Sequence, residues 1–286
     1  MSDLSYLDSV VLGIVEGLTE FLPVSSTGHL TISEKMLGLT VDAPEVTAYT
    51  AIIQLGAIAA TLLYFGKDIV RFLGAWVGGL RTPARRANPD YGLAWAVIIG
   101  SIPVALVGYA LKDLISGGFR SLWVVAAALI VWGVAMLVAE RIYATRLERG
   151  DTRGESTVTV RDGIIIGLVQ CLSLVPGVSR SGATISAGIV RGIDRVTATR
   201  LSFFLAIPAL TAAGLYEAAK ERDALSGLGF GPMALGVVIA FVVAYASIAW
   251  LLKFVSGHTL RPFVWYRFAL GAGLLVALAA GWTSAT

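Results

Sequence analysis

Two glutamates, Glu16 and Glu20, stand four residues apart inside an apolar run. Four residues is about one helical turn, so both carboxylates share a face. Ser25, Ser26, Thr27, Gly28 and His29 follow directly. A second polar cluster, Ser179, Arg180, Ser181, Gly182 and Thr184, repeats this arrangement 154 residues later. Paired carboxylates suit Mg²⁺ or Ca²⁺, which often sit on one or two carboxylates plus substrate phosphates. Hydroxyls and free amides at a helix start form an anion site, aided by the helix dipole. Arg180 adds a planar fork that can grip two phosphate oxygens. Ordinary serine N-capping would explain either cluster alone, but two paired clusters flanked by Glu and Arg favour phosphate binding. His29 lies about one turn after Ser26. It could serve as base or nucleophile in phosphoryl transfer, with Ser26 as the partner hydroxyl, or it could be structural. Gln54 lies within an apolar span and is a candidate to line the same cavity, buried packing being the alternative.

The clusters sit in two copies of one pattern. GIVEGLTEFLPVSSTGH at Gly13–His29 matches GLVQCLSLVPGVSRSGA at Gly167–Ala183 at a constant offset of 154. Each copy passes from an apolar run through a proline into a Ser/Gly cluster. The chain is 56% hydrophobic and only 14% charged, with a mean hydropathy of +0.79. Soluble domains carry about a quarter charged residues, so this composition describes a polytopic membrane protein. The net charge of +3 gives no reason to expect nucleic acid. A single cysteine, Cys171, excludes an internal disulfide and a cysteine-based metal cluster. The first apolar run contains Glu16 and Glu20 and lacks a basic leader, so no cleavable signal pattern is expected.

Six segments are long and apolar enough to span a bilayer: Thr47–Phe65, Leu93–Leu111, Leu122–Ala139, Leu201–Ala219, Gly231–Leu252 and Phe263–Gly281. Two more, Tyr6–Leu37 and Arg161–Val190, are broken at their prolines. Broken backbone survives at membrane depth only where protein or a polar cavity satisfies it. Each is therefore expected to be a re-entrant helical hairpin. Arginines and lysines crowd the loops Gly66–Gly92 and Glu140–Val160, which places both loops in the cytoplasm. Three spans then separate the hairpins, and an odd number inverts them. The expected fold is all-α and integral to the membrane. It is a single domain over 1–286, with inverted repeats at about 1–139 and 161–286. The hairpins would enter from opposite faces and meet near the midplane. Two glutamates and Arg180 at that depth would cost on the order of 8–10 kcal/mol by simple addition. That is comparable to the stability of a whole domain, so a functional reason is needed.

EGLTEFLPVSSTGHL (Glu16–Leu30) and QCLSLVPGVSRSGAT (Gln170–Thr184) resemble the two signatures of the undecaprenyl-diphosphate phosphatase family, of the bacitracin-resistance (BacA/UppP-like) type. LSFFLAIP (Leu201–Pro208) and LRPFVWYR (Leu260–Arg267) look like further family segments. The resemblance implies a membrane phosphatase that converts undecaprenyl diphosphate to undecaprenyl phosphate for peptidoglycan synthesis. It implies divalent-cation dependence, bacitracin resistance, and a site opening to the periplasmic side of the bacterial inner membrane. It makes Glu16 and Glu20 the acidic pair and metal ligands, Ser26 and His29 the candidate nucleophile and base, and Ser179, Arg180 and Thr184 the phosphate set, with Ser25, Thr27 and Ser181 beside them. One departure is visible: Thr50 precedes AIIQLG where an acidic residue is expected. The expected partners are a polyprenyl diphosphate lipid and membrane lipids. A homodimer is open, since the sequence shows no oligomer interface. Inverted repeats also motivate an alternative, a transporter or flippase for a polyprenyl phosphate lipid.

Overall fold

A computed structural model describes residues 4–41, 43–112, 121–220 and 229–285. Among these, eleven α-helices carry the fold: α1 (Tyr6–Thr19), α2 (Ser26–Met36), α3 (Pro44–Tyr64), α4 (Gly66–Arg81), α5 (Pro89–Ala110), α6 (Leu122–Glu148), α7 (Val160–Gln170), α8 (Arg180–Val190), α9 (Arg195–Lys220), α10 (Phe230–Val255) and α11 (Arg261–Ala279). Six of them, α3, α5, α6, α9, α10 and α11, are long and apolar enough to cross a membrane, in agreement with the six expected spans. Large apolar side chains such as Leu63, Leu106, Val131 and Val242 are exposed on the outside of the bundle, as a lipid-facing surface requires.

Three boundaries depart from expectation for physical reasons. Helix α9 starts earlier, at Arg195, because Asp194 caps it by accepting from the Thr197 N–H at 2.9 Å. Helix α6 continues past Ala139 to Glu148, and Glu140 and Arg195 form a bidentate pair at 2.8 and 3.1 Å where the two helices meet. The stretch after Phe65, read as a basic loop, is the helix α4, whose apolar residues recur at helical spacing among its charges. Most of the expected loop Lys220–Phe230 lies outside the described residues.

The two broken segments are helix–break–helix units with matched details. Helices α2 and α8 begin at Ser26 and Arg180 and end at Met36 and Val190, each pair 154 residues apart. Their leading helices open on equivalent capping boxes, Ser5 with Asp8 and Thr159 with Asp162. Helix α1 packs on α10, and α7 packs on α5. Both seams rest on small residues that let backbones meet, as in glycine-based membrane helix pairs. A Cβ added to Gly13 would stand 2.8 Å from the Gly236 carbonyl, and one on Gly167 would stand 2.0 Å from that of Gly100.

Charged groups knit one end of the bundle. Arg200 and Arg71 both reach Glu155, at 2.8 and 2.6 Å, and Arg200 also meets Asp68 at 3.0 Å. Burial works to raise the Glu155 pKa, but bonds from Arg200 and Arg71 outweigh it and hold the carboxyl below its ordinary value. A lowered folded-state pKa stabilises above the unfolded value, near pH 4.3, and that stability is lost as the pH falls further. Wild-type protein in detergent is therefore expected to lose thermal stability below about pH 4.3, and Glu155→Gln to lose less over the same interval. The seams give a second expectation. Gly167→Val should destabilise by about 3 kcal/mol or more through overpacking, while Gly273→Ala, with open space around it, should be near neutral; thermal melts of purified protein check both.

Candidate functional site

The breaks themselves are strained in the same way. Ser25 and Ser179 are the only non-glycine residues with positive φ among the described residues, at 79° and 76°. That backbone costs of order 1–3 kcal/mol and persists where surroundings over-determine it. Here it turns each serine into an N-cap: Ser25 Oγ accepts from the Gly28 N–H at 3.4 Å, and Ser179 Oγ from the Gly182 N–H at 3.1 Å.

The two breaks then bond to each other. The Gly177 N–H donates to Ser25 Oγ at 3.1 Å, and Ser181 Oγ donates to the Leu22 carbonyl at 2.9 Å. Arg180 donates to the Glu20 carbonyl at 3.2 Å and stands 3.5 Å from Glu20 Oε1. Gly177, at φ 98°, lets this approach happen, because an added Cβ would lie 2.5 Å from the Val125 carbonyl of α6. Beneath both breaks lies Arg267, fully buried. Its guanidinium donates to Pro23 O at 3.2 Å, Gly177 O at 2.8 Å, Leu129 O at 3.2 Å and Ala128 O at 3.3 Å. Carbonyls of broken helices that lipid could not satisfy are thus satisfied by arginines and serines of the second half.

The reactive groups converge on this junction. Ser26 Oγ donates to Glu20 Oε2 at 2.5 Å. Glu16, one turn earlier and buried, lies within electrostatic reach of Glu20 and Arg180. Arg180 also donates to the Ser202 carbonyl at 2.9 Å, and Phe203 beside it packs its ring on Phe21 at 5.4 Å. Thr184 Oγ1 lies 2.7 Å from Ser202 Oγ, and Ser179 Oγ lies 3.1 Å from Ser181 Oγ. Two charged groups keep unspent capacity: Glu16 Oε1 and Arg180 Nε have no hydrogen-bond partner. Buried polar groups are normally paired, so these two atoms are exceptions that keep free bonding capacity.

Not every expected residue joins the cluster. His29 turns from Ser26: its Nδ1 lies 2.7 Å from Ser25 O and its Nε2 lies 2.6 Å from Tyr266 Oη. A carbonyl only accepts, so Nδ1 carries the proton and Nε2 accepts from the tyrosine. Thr27 is exposed. Gln54 faces α9, its Oε1 3.8 Å from the Cβ position of Gly214, and no hydrogen bond joins it to the cluster among the described residues. Thr50, where an acid was expected, donates to its own helix at Thr47 O. The motifs around the breaks did not point to Arg267, Tyr266 or Ser202. The first two lie in the LRPFVWYR segment and Ser202 in LSFFLAIP; an arginine inside an apolar span was the available signal. Gln170, the repeat equivalent of Glu16, is fully buried with both amide atoms unpartnered.

The two breaks thus bring Glu20, Ser26 and Arg180 to one junction. The family profile described as Bacitracin resistance protein BacA matches residues 9–273. The chain belongs to the BacA family. Its relatives include undecaprenyl-diphosphatase 3 of Frankia casuarinae, 54% identical over 99% of this chain and 100% of the relative. The undecaprenyl-diphosphatase of Acidothermus cellulolyticus is 50% identical over 96% of this chain and 97% of its own. That of Cutibacterium acnes is 51% identical over 94% and 95%. The BacA-family match spans both breaks and reaches Arg267, so the whole junction described above lies inside it. Arg267→Met is expected to release the two breaks from each other and to cut turnover by about 100-fold through misplacement alone, with lowered thermal stability in the same sample. Turnover within a factor of about two of wild type would contradict the positioning role.

Proposed function

We propose that this protein is an integral-membrane phosphatase that hydrolyses undecaprenyl diphosphate to undecaprenyl phosphate and inorganic phosphate. The product is the lipid carrier used in cell-wall synthesis, and bacitracin resistance follows because bacitracin sequesters the substrate. The observation that carries the reading is the Ser26–Glu20 hydrogen bond of 2.5 Å set against Arg180 at the meeting of the two breaks. A serine with a bonded carboxylate is a nucleophile with its base in place.

In this mechanism Arg180 and the amides that open α2 and α8 receive the terminal phosphate. Ser26 Oγ attacks its phosphorus while Glu20 takes the hydroxyl proton. The bond from phosphorus to the bridging oxygen breaks, and the lipid phosphate leaves with that electron pair. Water then attacks the phosphoserine, the phosphorus–Oγ bond breaks, Glu20 returns its proton to Ser26 Oγ, and inorganic phosphate leaves with the water's oxygen and protons. Fixed donors stabilise the charge spread over the transferring phosphoryl oxygens. His29, held by Ser25 and Tyr266, orients the start of α2; its base role from the sequence passes to Glu20.

A divalent cation fits the residues present. Glu16 Oε1 is a buried carboxylate oxygen without a partner, one turn from a second carboxylate. Hard cations take such oxygens together with substrate phosphates. Glu16 and Glu20 would hold Mg²⁺ or Ca²⁺, and the ion, when bound, would neutralise phosphate charge. The two halves are read as inverted repeats with re-entrant hairpins. The shared offset of 154 in cap, break and helix supports that reading, and so do the matched seams. Loop arginines favour a cytoplasmic side for α4 and the loop after α6, and the family resemblance favours a site opening to the outer side of the bacterial inner membrane. Every group used comes from one chain, so the mechanism calls on no homodimer.

Ser26→Ala, Glu20→Gln and Arg180→Ala are each expected to lower phosphate release from polyprenyl diphosphate in detergent by at least about 10²–10³-fold. Wild-type enzyme quenched during turnover should carry phosphate on Ser26. Near-normal turnover in folded Glu20→Gln or Arg180→Ala protein would refute the assignment. Detergent also excludes transport, so turnover there separates the phosphatase from a lipid carrier.

A further inference from the structure

Helix α4 takes no part in the site, yet it is built for a specific environment. It leaves the end of span α3 at Gly66 and leads, through a short 3-10 turn at Pro83–Ala87, into span α5 at Pro89. Its inner face is fixed to the bundle: Phe72 is buried with its ring 5.0 Å from Phe204, and Gly79 meets the Tyr91 ring. Its outer face is apolar and uncovered. Val70, Leu73, Val77 and Leu80 recur at helical spacing and are 71%, 54%, 37% and 47% exposed. Val70, Leu73 and Val77 run along an open groove of about 530 Å³ that ends at Arg81 and Arg85.

The charges complete the pattern. Arg71 is committed to Asp68, Asp90 and Glu155. Arg81 and Arg85 line the end of the groove. An apolar strip with cations at its end matches an acyl chain below and a phosphate above. Basic residues beside an apolar surface favour anionic lipid.

We propose that the α4 groove is a binding site for an anionic phospholipid of the surrounding bilayer. The acyl chain lies along Val70, Leu73 and Val77, and the headgroup phosphate lies against Arg81 and Arg85. The lipid anchors the basic end of the protein at the membrane surface and is not the enzyme's substrate.

The test is native mass spectrometry of the full-length protein in detergent, titrated with equal phosphatidylglycerol and phosphatidylcholine. Wild type should retain phosphatidylglycerol preferentially. Arg81→Gln with Arg85→Gln should lose that preference by about fivefold per arginine, the ratio set by about 1 kcal/mol for each basic residue beside an anionic leaflet. Arg81→Lys with Arg85→Lys should keep most of it. All variants should release phosphate in detergent at the wild-type rate, which certifies the fold independently. Equal retention of the two lipids by wild type would overturn the proposal. So would an unchanged preference in the glutamine variant, or a dimer mass showing that a second copy covers the groove.

Discussion

Everything at the centre of this protein depends on satisfying the backbone of two broken helices without help from water. Arg267 meets most of that demand. Its guanidinium binds Pro23 O from one break and Gly177 O from the other, and two carbonyls of α6 besides. A buried arginine without a carboxylate is costly by itself. Spread over four carbonyls it becomes a fastener, and the Ser25 to Gly177 bond closes the joint from the other side. Direct contacts from Arg180 to the Glu20 carbonyl and carboxylate add to this joint and hold Glu20 against Arg180.

The matched construction of the halves makes their differences informative. Both have a capping box, an apolar helix, a proline, a serine at positive φ and a second helix. Between cap and break only the first keeps carboxylates, and only the second has an arginine at the helix start. Glu16 is answered by Gln170, and Ser26 by Arg180. In the proposed mechanism one half supplies attack and proton acceptance, and the other supplies the phosphate clamp. Arg180 bonds backbone and carboxylate of the other half, so in that mechanism catalysis and assembly rest on shared bonds.

The sequence shows much of this, and its failures have physical causes. The six spans follow from length and hydropathy, and the meeting of the two breaks is expected from hairpins entering from opposite faces. The Ser5–Asp8 and Thr159–Asp162 caps obey the same offset but lie before the obvious motif. Arg267 is 244 residues from the carbonyl it binds at Pro23, and no local pattern announces such a contact. Helix α4 hides because its charges look like a loop unless its apolar spacing is counted. His29 and Ser26 share a turn, which suggested a pair; the positive φ at Ser25 instead turns the imidazole to the Ser25 carbonyl and Tyr266. Thr27 is exposed and Gln54 faces α9, placements that residue type alone does not reveal.

The central claim is that both breaks form one phosphate site. An experimental structure in lipid, with a non-hydrolysable diphosphate lipid bound, tests it most directly. The account predicts a terminal phosphorus within roughly 3–3.5 Å of Ser26 Oγ, with Arg180 on its oxygens and the lipid chain leaving between spans. A diphosphate bound at one break alone, with Ser26 and Arg180 on separate sites, would contradict it.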